Sequence, residues 1–287
     1  MTRWKIVAAL VVTLSGLSGI TAEASPILAS TITGRLISFD SATPGSLLTD
    51  VAITGVAGAL IGIDVRPENG ALYAVGNNGG VGTIYSLNTI TGVATSIYTL
   101  TSAFSGTSFG VDFNPVVDAL RIVSDTGQNL RITGFPTGTF VTTTDVALNL
   151  TGVVAAAYTN NFAGAITTTL YDIRVTDSSL YTQAPPNAGT LTLVGTLGST
   201  TNSLVGFDVS RTGIAFVSLN GGSQFGTVNL ATGAFTSFGP VGGAYAGQVS
   251  GISAVAEVVP EPGTVVLLGL GLTSTAVVAL RRRRTRR

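Results

Sequence analysis

Between residues 26 and 258 the chain is a succession of short runs rich in Val, Ile, Thr and Phe, each closed off by Gly, Pro, Asn or Asp. Runs of this kind predict β-strands joined by tight turns. No longer stretch carries a 3.6-residue apolar period with helix formers and caps, so no helix is predicted there.

The runs repeat. Gly62-Ile63-Asp64-Val65 recurs as Gly110-Val111-Asp112-Phe113 and as Gly206-Phe207-Asp208-Val209, at spacings of 48 and twice 48. A degenerate copy is expected at Ala157-Tyr158-Thr159-Asn160, with Thr159 in place of the Asp. Downstream of each copy the pattern continues. Gly70-Ala71-Leu72-Tyr73 matches Asp118-Ala119-Leu120-Arg121, and Thr-Gly turns at Thr91-Gly92, Thr137-Gly138 and Thr232-Gly233 join later strand pairs. In this alignment Arg121 stands where Tyr73 and Phe216 stand, and Arg131 where Tyr85 and Asn229 stand.

A unit of 40–50 residues with four strands predicts a β-propeller blade, because one such sheet cannot bury both its faces alone. The 233 residues from 26 to 258 hold about five units of 48, so the expected fold is all-β, a propeller of about five four-stranded blades. An open β-solenoid or β-sandwich is the alternative. Gly34 to Asp40 and Ser46 to Ile53 read as the outer half of an incomplete blade, and Gly251 to Ala256 as an unpaired inner strand. Joining them closes the ring and removes two open edges. The Gly-rich segments Gly76 to Gly82 and Gly221-Gly222 lack the Lys-Ser/Thr of a phosphate loop and are expected to be turns between blade strands.

The two ends follow a different pattern. Arg3 and Lys5 precede an apolar run from Ile6 to Ile20, and Ala22-Glu23-Ala24 supplies a small-x-small site, so residues 1–25 are expected to be a signal peptide. At the other end, Pro260-Glu261-Pro262 precedes an uncharged stretch from Thr264 to Leu280 and six arginines among the last seven residues. That stretch is at the lower limit for a transmembrane helix, and the arginines set its orientation. The expected domains are therefore 1–25, 26–258 and 259–287.

Charge sharpens this reading. The whole chain has 14 basic and 14 acidic residues, no His and no Cys. Residues 26–258 hold six arginines, twelve acids and no Lys, a net charge of −6. Such a domain is a poor partner for nucleic acid. Without His or Cys it has no thiol nucleophile, no imidazole base and no Cys- or His-based metal site. Carboxylate oxygens suit calcium, but no Asp-x-Asp-x-Asp-Gly loop is present. No cofactor or metal ligand is assigned, and a structural Ca²⁺ is the minor alternative.

The order of parts after residue 258 resembles the PEP-CTERM sorting signal of Gram-negative bacteria. The resemblance implies transit through the inner membrane, recognition of Pro260-Glu261-Pro262 by an exosortase-type enzyme, and a destination at the cell surface or in the matrix. One internal segment is richer than the repeat requires: Gly110-Val111-Asp112-Phe113-Asn114-Pro115, then Leu120-Arg121-Ile122-Val123-Ser124 and Thr126-Gly127-Gln128-Asn129-Leu130-Arg131. It is similar to the hallmark of an uncharacterised family of exported, propeller-like bacterial domains, which supplies no catalytic residue. Asp112, Asn114, Arg121, Asp125, Gln128, Asn129 and Arg131 are the candidate ligand-binding residues. The arginines are suited to clamp a carboxylate or sulfate and the amides to read sugar hydroxyls; the competing reading is a buried Arg-Asp network that locks two blades together.

The expected function is that of an exported, non-catalytic propeller that binds or scaffolds exopolysaccharide or matrix proteins. A carbohydrate-active hydrolase or lyase using carboxylates and Arg is the alternative.

Overall fold

A computed structural model describes residues 25–255. The expected signal peptide over residues 1–25, apart from Ser25, and the sorting motif, apolar stretch and arginine tail lie outside the described residues. Among the described residues no helix is long and apolar enough to cross a membrane.

The strands run in chain order. β1 (Pro26–Thr31), β2 (Arg35–Asp40) and β3 (Leu47–Ala52) come first. The second group is β4 (Ala59–Val65), β5 (Leu72–Asn78), β6 (Val81–Leu87) and β7 (Ala94–Thr99). The third is β8 (Phe109–Asn114), β9 (Ala119–Ser124), β10 (Asn129–Thr133) and β11 (Val141–Thr144). The fourth is β12 (Val153–Tyr158), β13 (Leu170–Arg174), β14 (Ser179–Gln183) and β15 (Leu191–Thr196). The fifth is β16 (Gly206–Val209), β17 (Ala215–Leu219), β18 (Gln224–Val228) and β19 (Phe235–Gly239), and β20 (Val249–Ala254) ends the series.

These strands form five four-stranded antiparallel sheets, each a meander, arranged as a five-bladed propeller. β4, β8, β12, β16 and β20 line the axis, each packed on the next. The closing blade has the order β20-β1-β2-β3, with Ile27 opposite Ala254 and Ala29 opposite Ile252. The expected exchange between the chain ends therefore closes the ring, and β1 adds a strand that the sequence pattern did not mark.

Burial follows distance from the axis. β12 and β16 are buried along their whole length, whereas β3, β11 and β19 are half exposed. Five apolar clusters fill the interior, one at each blade–blade interface. Between the second and third groups, for example, Val75 and Ile84 meet Phe113, Leu120 and Ile122. Each blade thus buries one face on each neighbour, which an isolated four-stranded sheet has no means of doing.

At the waist the inner strands approach so closely that three glycines are obligatory. A Cβ on Gly62 would lie 2.5 Å from Val111 Cγ2, one on Gly110 2.5 Å from the Ala156 nitrogen, and one on Gly206 2.8 Å from the Ile252 nitrogen. The space left on the axis is ≈ 20 Å³, room for about one water.

Two details of the repeat alignment are corrected. Tyr158 N–H meets Asp112 just as Phe113 N–H meets Asp64, which puts Ala157, not Thr159, at the fourth acidic position. The connections between blades vary in length and absorb the shift. Likewise the strand register sets Arg121 opposite Arg131 and Tyr73 opposite Ser86, so Arg131 corresponds to Ser86 rather than Tyr85.

Candidate functional site

Because every blade is an antiparallel meander, the connections that follow β4, β8 and β12 leave the ring on one face, as does the end of β20. Two features lie on this face: a ring of polar side chains around the axis, and a cleft between the third and fourth groups of strands.

The axial ring comes from the repeated Asp. Its carboxylate reaches forward to the next blade and accepts the N–H of the residue after the equivalent position. Phe113 N–H donates to Asp64 Oδ2 at 2.8 Å, Tyr158 N–H to Asp112 Oδ2 at 2.7 Å, and Ala254 N–H to Asp208 Oδ2 at 2.6 Å. In the closing blade Ser253 does the same work, its Oγ accepting from Val65 N–H at 3.0 Å. Ala157 carries no acceptor, so Val209 N–H has its own Asp208 Oδ1 alone, at 2.6 Å, whereas Val65 N–H has its own Asp64 Oδ1, at 2.7 Å, besides Ser253. The ring satisfies backbone donors on the free edges of the inner strands, which burial would otherwise leave unpaired.

Asp64, Asp112 and Asp208 also converge on one another. One oxygen from each lies within 4.8 Å of the others, and none of the three residues is more than 1% exposed. Burial pushes Asp64 up to about 7 despite its hydrogen bonds from Phe113, Ser253 and Val65. Burial, reinforced by the neighbouring carboxylates, holds Asp112 and Asp208 well above the usual range. These three are the residues in the described chain whose donor set suits a metal ion. On the same face a mouth of ≈ 160 Å³ is lined by Val65 and Ala254, which adjoin the ring, and by Pro67, Asn161, Phe162 and Arg211 among others.

The cleft is larger, ≈ 250 Å³, and is lined by Asn114, Arg121, Arg131, Tyr158, Pro185 and Asn187 among others. Arg121 is 2% exposed and fully engaged. Its Nη1 donates to Asn129 Oδ1 and Asp145 Oδ2, both at 2.7 Å, its Nη2 to Asn187 Oδ1 at 2.6 Å, and its Nε to the Tyr158 hydroxyl at 3.4 Å. Arg131 grips the same Asp145 with Nε and Nη2, each at 3.1 Å, and its side chain is 28% exposed. Burial alone would raise Asp145, but the hydrogen bonds from Arg131 and Arg121 outweigh it and hold the carboxyl below its usual range.

The structure brings Asn114, Arg121, Asn129 and Arg131 together around this cleft. Asn129 supports it from behind, donating Nδ2 to the carbonyls of Val146 and Pro186 at 2.9 and 3.0 Å. Asn114 Oδ1 accepts from Val116 N–H at 2.9 Å and shapes the turn after β8. Asp112 belongs to the axial ring. Asp125 and Gln128 stand at the opposite end of β9, where Asp125 accepts from Thr107 N–H and Gln128 from Ser105 N–H, each at 2.9 Å. Sequence reasoning missed Asp145, Asn187 and Tyr158. Each arrives from a loop or strand outside the rich segment, and no local spacing marks it.

Comparison with known proteins places these features. A family model described as a domain of unknown function, DUF4394, matches residues 35–253. The chain belongs to this family. The stretch that includes Gly110-Val111-Asp112-Phe113-Asn114-Pro115 and ends at Arg131 builds β8 to β10 of this domain. A PEP-CTERM protein-sorting motif matches residues 258–284, so the protein is exported and processed by an exosortase at the membrane of a Gram-negative bacterium.

Comparison with curated proteins finds no match. Among solved structures, a protein of unknown function from Bacteroides thetaiotaomicron is similar, with 17% identity and a TM-score of 0.50 over 75% of this chain and 58% of that one. A chain of a nidogen/laminin complex has 12% identity and a TM-score of 0.49, over 81% of this chain and 98% of that one. A protein of unknown function from Bacteroides caccae has 9% identity and a TM-score of 0.46, over 82% of this chain and 100% of that one. The chain spans little more than half the length of the first of these, and at such identities the likeness concerns the fold alone.

Proposed function

We propose that this DUF4394 propeller is a non-catalytic binding or scaffolding module of the exopolysaccharide matrix, with the Arg121–Arg131 cleft as its contact point. One observation carries this reading: the propeller axis is closed. Inner strands press together at Gly62, Gly110 and Gly206, against the Val111 side chain and the backbones of Ala156 and Ile252, and the three axial carboxylates are at most 1% exposed. Hydrolysis of a glycoside by two carboxyl groups requires them to flank an accessible bond at about 5–10 Å separation. Asp64, Asp112 and Asp208 are instead shut beneath the ring surface and engaged with backbone donors.

The cleft suits recognition better than chemistry. Its two arginines share the one carboxylate of Asp145, so a single net positive charge remains, presented as oriented N–H donors beside the amides. Such a surface matches a polyhydroxylated chain. Export through an exosortase supports this reading, since a propeller delivered to the cell surface would meet secreted polysaccharide.

The test is a glycan-array screen of the exported protein, purified in detergent with its tail intact. The expected result is binding to a polysaccharide that Arg131→Ala abolishes without lowering the unfolding temperature by more than a few degrees. Binding to no glycan overturns the polysaccharide reading and leaves a protein scaffold. Release of new reducing ends overturns the non-catalytic reading.

A further inference from the structure

The axial ring contains more than its structural work needs. Four backbone donors are satisfied by forward-reaching side chains, and one oxygen per side chain suffices for each. Three carboxyl groups nevertheless converge within 4.8 Å. Ionised together in a dry interior they repel strongly. Either shared protons or a cation must offset that repulsion.

Two oxygens favour the cation. Asp112 is 1% exposed, its Oδ2 takes the Tyr158 N–H, and its Oδ1 has no hydrogen-bond partner. Asn161, which is not an acid and comes from the loop after β12, donates Nδ2 to Asp208 Oδ1 at 3.3 Å, leaving its own Oδ1 buried and without a partner. Buried acceptors without donors are rare, and both belong to side chains that touch or form the same carboxylate cluster. A proton shared between the adjacent Asp64 and Asp112 carboxyls would satisfy the Asp112 oxygen but leave that of Asn161 without a partner. A hard cation takes several oxygens at once.

We infer that Asp64, Asp112 and Asp208, with Asn161, form a binding site for one divalent cation of the calcium type on the propeller axis. The donors are all oxygen, which selects hard ions over thiolate- and imidazole-seeking ones. Calcium accepts oxygens at 2.3–2.6 Å in flexible geometry, so opposite ligands stand about 4.6–5.2 Å apart. Magnesium at 2.0–2.1 Å draws opposite ligands to about 4.2 Å and holds its waters tightly. Three carboxylate oxygens within 4.8 Å of one another fit inside one coordination shell, and a buried all-protein cage suits calcium better than magnesium, which gives up its waters reluctantly. Entry is from the ≈ 160 Å³ mouth, which Asn161 also lines. The ion would cross-link the second, third and fifth groups of strands through their inner strands. This site is separate from the Arg121–Arg131 cleft and does not depend on the glycan reading.

The experiment uses the full chain in detergent. Elemental analysis of the protein purified without chelator is expected to find one calcium per chain. After EDTA treatment and dialysis, calcium chloride is expected to raise the unfolding temperature by several degrees and to bind with a stoichiometry of one by calorimetry. Magnesium chloride at the same concentration is expected to do much less. Asp112→Asn keeps an acceptor for Tyr158 N–H but removes the free charge, so it is expected to lose the calcium shift while unfolding at the metal-free temperature of the wild type. Elemental analysis and calorimetry on the wild type need no variant. Absence of metal from the purified protein together with no calcium binding overturns the site, as does an undiminished calcium response in a folded Asp112→Asn protein.

Discussion

The Asp64 carboxylate accepts the backbone N–H of Phe113, one blade further round the ring, at 2.8 Å. This link, repeated by Asp112 to Tyr158 and Asp208 to Ala254, explains why one Asp recurs in the sequence while its neighbours vary. Each blade presents an inner edge with a donor that must be satisfied, and the previous blade supplies the acceptor. Asp208 is the most heavily used of the three. It accepts from Ala254 N–H, Val209 N–H, the Ser253 hydroxyl and the Asn161 amide. Asp208→Ala is therefore expected to destabilise by about 2–5 kcal/mol, since each orphaned buried donor costs about 1–3 kcal/mol. Urea unfolding measures this, and a cost below about 1 kcal/mol would show that the ring is not what pins the blades.

The waist glycines make a graded prediction. A Cβ on Gly110 meets the backbone nitrogen of Ala156 at 2.5 Å, whereas one on Gly62 meets the side chain of Val111 at the same distance. Backbone has nowhere to go, while Val111 has some freedom to turn. Gly110→Ala is expected to cost about 3 kcal/mol or more, the upper end for overpacking, and Gly62→Ala less. Gly70→Ala is the control: its φ of +67° imposes left-handed strain of about 1–2 kcal/mol, but no atom lies within 4 Å of the new methyl. Equal losses at all three positions would contradict the close approach of the inner strands.

Arg121 and Arg131 share Asp145 but differ in burial. Removing Arg121 with Met strips a 2% exposed network of its centre and leaves Asn129 and Asn187 without their donor, so a loss of about 3–5 kcal/mol is expected. Arg131→Ala removes a partner that is 28% exposed, and Asp145 keeps Arg121, so about 1 kcal/mol or less is expected. Comparing the two variants by chemical denaturation separates locking from binding: a large loss for Arg131→Ala assigns both arginines to the lock.

Asp172 carries the pH dependence that is easiest to isolate. It is fully buried in β13, neither of its oxygens has a partner, and burial pushes it up to about 8, with the nearby Arg121 opposing. Its ordinary value is 3.8, so between those values the fold keeps a proton that the unfolded chain has released. The resulting stability is fully present below the lower value and is lost as pH rises toward the upper one, at up to about 1.4 kcal/mol per pH unit. Asp172→Asn has no such proton and is expected to gain on the wild type steadily from pH 5 to pH 8. Parallel stability profiles for the two proteins over that range would show that Asp172 is ionised in the fold.

Much of the architecture was legible because it repeats. The Gly-x-Asp copies at Gly62, Gly110 and Gly206 set the blade length, and the stray pieces Gly34 to Asp40 and Gly251 to Ala256 told where the ring closes. Where the repeat decays, pattern reading slipped. The fourth acidic position fell on Thr159 instead of Ala157, and Arg131 was set against Tyr85 instead of Ser86, because register depends on connection lengths that the motif does not encode. The rich segment from Gly110 to Arg131 pointed toward a cleft, yet only some of its polar residues face it. Asp125 and Gln128 sit at the far end of β9, since one strand carries its two ends to opposite faces of the ring.

By itself the sequence determined the class, the repeat, the closure and the address, because those follow from strand propensity, turn residues, spacing and the charge and hydropathy of the two ends. Only the tertiary structure decided that three Asp residues separated by up to 144 positions share one buried spot on the axis, and that Asp145 binds both arginines. The reason is geometric. Positions equivalent in sequence become neighbours only when the ring closes, and whether their side chains repel, share a proton or hold an ion depends on distances and burial that no local pattern records.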